Sequence, residues 1–215
     1  STIGHYQLNN HCGIETSITA AKSYITQLTI LIALAYQISE NQELFNLLEQ
    51  LPDIIKDSFQ LENQVQNVIP FFRNSEHLLI FGRGLLYGLV QESELKSYLD
   101  ARCYSASDYQ HGPIATSLSF VPTIFFIADK QTDKSIIQLH QRLKEEKNIF
   151  SLIISNKDNI SELGDLSIKI PHQYDGLSAV FVCAIISQMF ACLLSIARGY
   201  NPDSPIGVSK HTVTI

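Results

Sequence analysis

The sequence has no CxxC pair, no long run of Lys or Arg, and no apolar stretch at its start. Each absence excludes something. Cys12, Cys103, Cys183 and Cys192 stand apart from one another and from any metal-type histidine spacing, so they are expected to be reduced thiols of a cytosolic protein. His5, His11, His77, His140, His172 and His211 form no ligand cluster, and neither a metal nor a cofactor is expected. Lys and Arg are scattered through a chain of net charge -6, whereas phosphate backbones call for clustered cations, so nucleic acid is not expected as a partner. Polar residues stand where an export signal would carry its apolar core, so none is expected.

What is present points to a globular protein. The 215 residues, 45% of them hydrophobic, can bury one sizeable core. The stretch Leu177 to Ala197 is apolar except for Ser178, Ser187, Gln188 and Ser195. A helix that is apolar all round is a membrane span or a buried core helix. The surrounding chain reads as soluble α/β sequence, so a core helix is expected, with no membrane partner. A fully covered helix also fits a subunit interface.

The first third reads as helical. Thr16 and Ser17 offer N-caps, and apolar residues then recur at Ile18, Ile25, Leu28, Leu31, Ile32 and Ala35. A second helix is expected from Asn41 to Leu51, with Pro52 marking a turn, and a third from Ile54 to Val68, ended by Pro70. The pattern then changes. His77 to Phe81, Val121 to Ala128, Ile149 to Ile154 and Leu166 to Ile170 are short apolar runs. Helical stretches from Leu85 to about Asp100 and from Lys134 to Glu146 lie between them. Such alternation predicts a doubly wound α/β fold with a parallel sheet of about five strands and helices on both faces.

Ligands of such folds sit at the carboxyl ends of the strands. Two loops there carry candidate chemistry. Gly82-Arg83-Gly84 follows a strand and opens a helix, where glycines permit close approach and free N–H groups attract anions. It lacks the third glycine of a dinucleotide fingerprint and is not a Walker loop, so a tight turn with a solvated Arg83 is an equal reading. His111-Gly112-Pro113 offers a loop histidine able to act as acid or base near neutral pH, or simply to bond the loop backbone. Glu92 and Lys96 lie four apart on one helix face, the spacing of a surface ion pair.

Taken in order, these pieces resemble a known family. They are Gly82-Arg83-Gly84, the helix with Glu92 and Leu95-Lys96, Tyr104 to Pro113, Arg198 to Pro205, and Ser209-Lys210-His211-Thr212-Val213-Thr214. The chain resembles the C-terminal part of double sugar isomerase (SIS) domain proteins. That group includes the isomerase half of glutamine–fructose-6-phosphate aminotransferase and aminosugar-phosphate deaminases and deglycases. Gly13 to Leu28 resembles the segment that leaves the first SIS domain and enters a helical connector. The resemblance implies two domains: residues 1–73 as the end of a first SIS domain plus connector, and 74–215 as an SIS domain with a C-terminal tail.

The resemblance also implies roles. His111 matches the histidine implicated in sugar ring opening and contributed across a dimer. Lys210 matches the lysine that approaches the open-chain carbonyl, where it can form an imine or supply positive charge. The family's Leu-Lys-Glu proton shuttle falls in Glu94-Leu95-Lys96-Ser97-Tyr98-Leu99-Asp100, about one helical turn short, so its glutamate lands on Ser97 or Leu99 with Asp100 as a stand-in. Glu92 matches an upstream family glutamate. The family's sugar-contacting Val-Ala-Ser-Thr reads Ile18-Thr19-Ala20-Ala21, which leaves Thr19 as its hydroxyl. The family's phosphate loop lies upstream of this chain, and its counterpart here, Ala128-Asp129-Lys130-Gln131-Thr132, offers one hydroxyl and an acid that repels phosphate. The expected function is phosphosugar binding with aldose–ketose isomerase or aminosugar-phosphate chemistry, by a fragment that acts as a cytoplasmic homodimer with a shared site. The catalytic set is His111, Lys210 and Asp100, and the substrate-binding set is Thr19, Glu92, Lys96 and Arg83. The alternative is a non-catalytic phosphosugar-binding or dimerisation module.

Overall fold

The computed structural model describes residues 5–97, 99–116 and 121–205. The chain divides into two units, residues 1–53 with 201–215 and residues 54–200. In the first unit, α1 (Lys22–Ser39) carries no charged residue after Lys22. Its N-terminal amides are capped by Glu15, whose Oε1 accepts from Ala21 N–H and Lys22 N–H, both at 2.8 Å, while Ser23 donates to Oε2 at 2.5 Å. Burial pushes the Glu15 pKa up, but these hydrogen bonds outweigh it and hold the group below the usual carboxylate range. Only Ile25 of α1 is buried, and Leu31, Leu34 and Ile38 are exposed.

Two expected helix ends are corrected. Pro52 lies inside α2 (Gln42–Phe59), and Pro70 lies inside α3 (Glu62–Phe72). An interior proline loses one hydrogen bond and crowds the preceding turn, which costs ~3 kcal/mol. Leu51 and Ile54 beside Pro52, and Ile69 and Phe72 beside Pro70, are buried. Each such side chain contributes ~1.5–3 kcal/mol, enough to carry the helix through.

The second unit holds an all-parallel sheet. Its elements run β1 (His77–Phe81), α4 (Tyr87–Lys96), β2 (Asp100–Tyr104), α5 (Ala106–Gln110), β3 (Thr123–Ile127), α6 (Asp133–Lys147), β4 (Ser151–Ser155), α7 (Asp158–Ser161), β5 (Leu166–Lys169) and α8 (Leu177–Ala197). The strand order is β2-β1-β3-β4-β5. The doubly wound α/β class and the five strands are therefore as the sequence predicts. Winding goes outward from β1 to β2, then reverses to β3, so the topological switch point lies between β1 and β3.

Both faces of this sheet are covered, which is why β3 and β4 are buried at every position. Phe81, Phe125, Ile127 and Ile153 pack with Ile136 and Leu139 of α6 and Tyr109 of α5 on one face. On the other face α8 packs with α3 and α4. Twelve of its residues are buried. This helix is long and apolar enough to cross a membrane, with mean hydropathy 2.3, but two thirds of its apolar window is buried inside the protein. It is a core helix, as the sequence suggests. Gln64 guards the β5 edge: its side-chain amide donates to Lys169 O at 3.2 Å and accepts from Lys169 N–H at 2.8 Å.

His140 of α6 is a buried polar group inside this core, 2% exposed. Ser151 donates to Asp165 Oδ2 at 3.2 Å, so its oxygen accepts from His140 Nε2–H at 3.0 Å. The other ring nitrogen, Nδ1, is buried with no hydrogen-bond partner among the described residues, and the ring stands edge-on to Phe125. A proton on Nδ1 would have no acceptor. Burial, reinforced by the Lys144 ammonium, pushes the His140 pKa down to about 4. The folded protein thus refuses a proton that the unfolded chain accepts near pH 6.5. Stability is full above pH ~6.5 and falls as pH drops towards 4, with a slope approaching ~1.4 kcal/mol per pH unit from this group. Urea unfolding between pH 4.5 and 7.5 should show this loss, and His140→Gln should remove that part of it. Parallel profiles for the two proteins would contradict the assignment.

Candidate functional site

The switch point is where a doubly wound sheet offers a ligand its crevice, so the turn after β1 comes first. At Gly82 an added Cβ would run into Val90 of α4. Gly84 has φ +62, and a Cβ there would meet Thr132 Cγ2 at 2.7 Å and Asp129 Oδ2 at 2.8 Å. The Thr132 hydroxyl donates to Arg83 O at 3.3 Å. The glycines therefore serve close packing between the β1 and β3 loops. Arg83 contributes its carbonyl to that contact.

The loop after β3 should supply the anion-binding amides. Three successive N–H groups are already taken. Asp129 N–H donates to Asp133 Oδ1 at 3.0 Å, Lys130 N–H to Asp175 Oδ1 at 3.3 Å, and Gln131 N–H to Asp129 Oδ1 at 3.2 Å. Asp129 and Asp133 are 4% and 5% exposed. Lys157 balances Asp133 at 2.5 Å. Backbone amides at a helix start are a ready cradle for phosphate. Here the chain's own carboxylates fill it. Of these acids Asp129 was expected in the loop; Asp133, the next residue after that loop, and Asp175, 45 residues along the chain from Lys130, were not.

His111 lies elsewhere at the same end of the sheet, on the segment that leaves β2. Ser105 caps α5, its oxygen accepting from Asp108 N–H at 3.1 Å, and its hydroxyl donates to Asp108 Oδ2 at 2.7 Å. Tyr109 anchors the helix in the core, 4.7 Å from Phe81 in an edge contact. His111 N–H donates to Asp108 O at 3.2 Å and closes the turn. Gly112, at φ 156, breaks the helix, and Pro113 opens the next turn. The imidazole is exposed and has no hydrogen-bond partner among the described residues.

The remaining candidates are dispersed. Lys96 and Glu92 form an ion pair near the end of α4, with the lysine only 7% exposed. Helix α4 runs back from the carboxyl end of β1, so this pair points towards the amino end of the sheet. Asp100 opens β2 at that amino end and pairs with His77 Nδ1 at 3.0 Å. It is therefore at the opposite end of the strand from the segment bearing His111. Helix α4 stops at Lys96, with Ser97 as its C-cap. Thr19 belongs to the first unit, where its hydroxyl lies 3.1 Å from that of Ser17. Lys210 falls outside the described residues. No group of His, Cys, Asp and Glu able to hold a metal occurs among the described residues.

Cys103, expected as a reduced thiol, has a partner that its place in the sequence does not reveal. Cys103 of β2 donates to Glu94 Oε2 at 2.8 Å. Burial, then the hydrogen bond to the Glu94 carboxylate, pushes its pKa up to about 12, which makes it a poor nucleophile. None of the four cysteines is in a disulfide.

The packing of the β1 turn has a direct test. Gly84→Ala forces a left-handed alanine into Asp129 and Thr132 and should cost ~1–3 kcal/mol in chemical denaturation. Gly88→Ala, with open space at its Cβ and a helical backbone, should instead stabilise by ~0.5–1 kcal/mol. Equal effects of the two would contradict the sealed turn.

No family model matches the chain. Among curated proteins it is 27% identical over 216 residues to glutamine–fructose-6-phosphate aminotransferase (isomerizing) of Aquifex aeolicus, covering 98% of this chain and 36% of that protein. The aminotransferase of Legionella pneumophila is 29% identical, over 94% of this chain and 34% of its own length. The chain thus spans about a third of the length of these relatives. Among solved structures, the C-terminal domain of glucosamine-fructose-6-phosphate aminotransferase from Francisella tularensis superposes with TM-score 0.77 at 22% identity, covering 90% of this chain and 58% of that one. At that identity the superposition shows the fold. Along nearly its whole length the sequence resembles the isomerase part of glutamine–fructose-6-phosphate aminotransferase, and its parallel sheet shares the fold of that enzyme's C-terminal domain.

Proposed function

We propose that the chain is the C-terminal part of a phosphosugar-handling SIS protein, in which His111 performs acid–base work on an aldose–ketose or aminosugar phosphate. The observation that carries this is the pairing of whole-length similarity to an isomerising aminotransferase with an exposed imidazole, without a hydrogen-bond partner among the described residues, on a core-anchored turn. A solvent-exposed imidazole is accessible to a substrate for proton transfer. Lys210 is the proposed partner for the carbonyl end of the open sugar. Residues 1–73 are proposed as the closing part of a preceding SIS domain with its connector, and the exposed apolar residues of α1 suit that role. The phosphate would be held by groups outside the described sheet, because its own cradle is filled. A cytoplasmic homodimer with a shared site completes the proposal.

A second reading has its own support. Ser97 stands where α4 ends, Asp100 faces the other end of the sheet, and the proton shuttle has no clear substitute. A module that binds phosphosugar without turning it over fits those facts. Calorimetric titration with fructose 6-phosphate and glucosamine 6-phosphate, with a coupled assay for their interconversion, separates the two. Isomerase chemistry predicts turnover that falls ~10²–10⁴-fold in His111→Ala. Binding with no turnover supports the module, and neither binding nor turnover contradicts both.

A further inference from the structure

Helix α5 is five residues long, too short to hold a direction by its own hydrogen bonds. Yet it ends on His111, whose exposed ring makes no hydrogen bond among the described residues. Its direction must come from what fixes α5 at both ends and beneath. The Ser105 oxygen is fully used: it accepts from Asp108 N–H, lies 3.0 Å from the Ser107 hydroxyl, and donates to the Asp108 carboxylate. The same Asp108 receives His111 N–H on its carbonyl. Asp108 is thus gripped by side chain, amide and carbonyl at once, and the last of these is the backbone of the turn that presents His111. Beneath, Tyr109 lies against Phe81 and against Tyr104 at 4.9 Å.

We infer that Ser105 and Asp108 are positioning residues for His111. They fix the α5 backbone, and so the line along which the imidazole leaves the protein, without touching the ring. This rests on the reading of His111 as a sugar-site residue. The arrangement leaves the imidazole oriented and still open to a substrate, which is what proton transfer in a fixed geometry requires. Misplacing a catalytic group by an ångström can cost ~100-fold, so loss of the grip should be felt in function more than in global stability.

The test uses the whole chain with histidine rings labelled at Cε1. Ring relaxation gives the order of His111 in the free protein, and titration with glucosamine 6-phosphate gives its response to sugar. Ser105→Ala and Asp108→Ala should loosen the His111 ring and weaken the sugar response ~10-fold or more, while the thermal unfolding midpoint stays close to that of the parent. Ser105→Thr keeps the hydroxyl cap and should restore both. Unchanged His111 order in both alanine variants overturns the positioning inference alone. A parent His111 silent towards glucosamine 6-phosphate overturns the sugar-site reading, and the inference falls with it.

Discussion

The loops after β1 and β3 meet where the winding of the sheet reverses, and their contact fixes the backbone at that corner. Thr132 reaches the Arg83 carbonyl, Asp129 lies against Gly84, and three amides that face an anion in such folds donate to carboxylates of the chain. The cost of burying Asp129 and Asp133 is offset by those amides, by the Thr132 hydroxyl and by Lys157. An isolated buried carboxylate would cost several kcal/mol; one that accepts two or three hydrogen bonds does not. The crevice is therefore closed from within, and the glycines that look like a ligand turn are packing glycines.

Closing the crevice moves chemical interest to the periphery. His111 is held by a capped turn whose aromatic foot stands in the core, while its ring remains open to solvent. The other acid–base candidates of the second unit, Glu92, Lys96 and Asp100, are committed to ion pairs near the amino end of the sheet. Glu92, Lys96 and Asp100 are therefore not gathered around His111, and the proposed site there would need groups from beyond them. That is consistent with a chain that spans about a third of its curated relatives.

Much of this architecture was legible in the sequence, for physical reasons. β3 and β4 are buried on both faces, so they read as unbroken apolar runs, and α8 reads as one long apolar helix because it is covered nearly all round. The legibility fails where a local rule is overruled by packing. Pro52 and Pro70 signal breaks, but buried neighbours carry both helices through them. Strand β2 is a short edge strand with alternating charge, and α5 is too short to show a helical period. The filled cradle was legible only in part. Asp129 stands in the loop itself, whereas Asp175 arrives from the turn after β5, a proximity no spacing rule contains.

The central claim is that the anion cradle at the β1–β3 switch point is occupied by the chain's own carboxylates. Its most direct test is a titration of the 15N-labelled protein with inorganic phosphate, following the backbone amides of residues 82–86 and 129–133. The account predicts that these signals stay in place, and that Asp129→Ser makes them move. Saturable shifts of these same amides in the unaltered protein would contradict it.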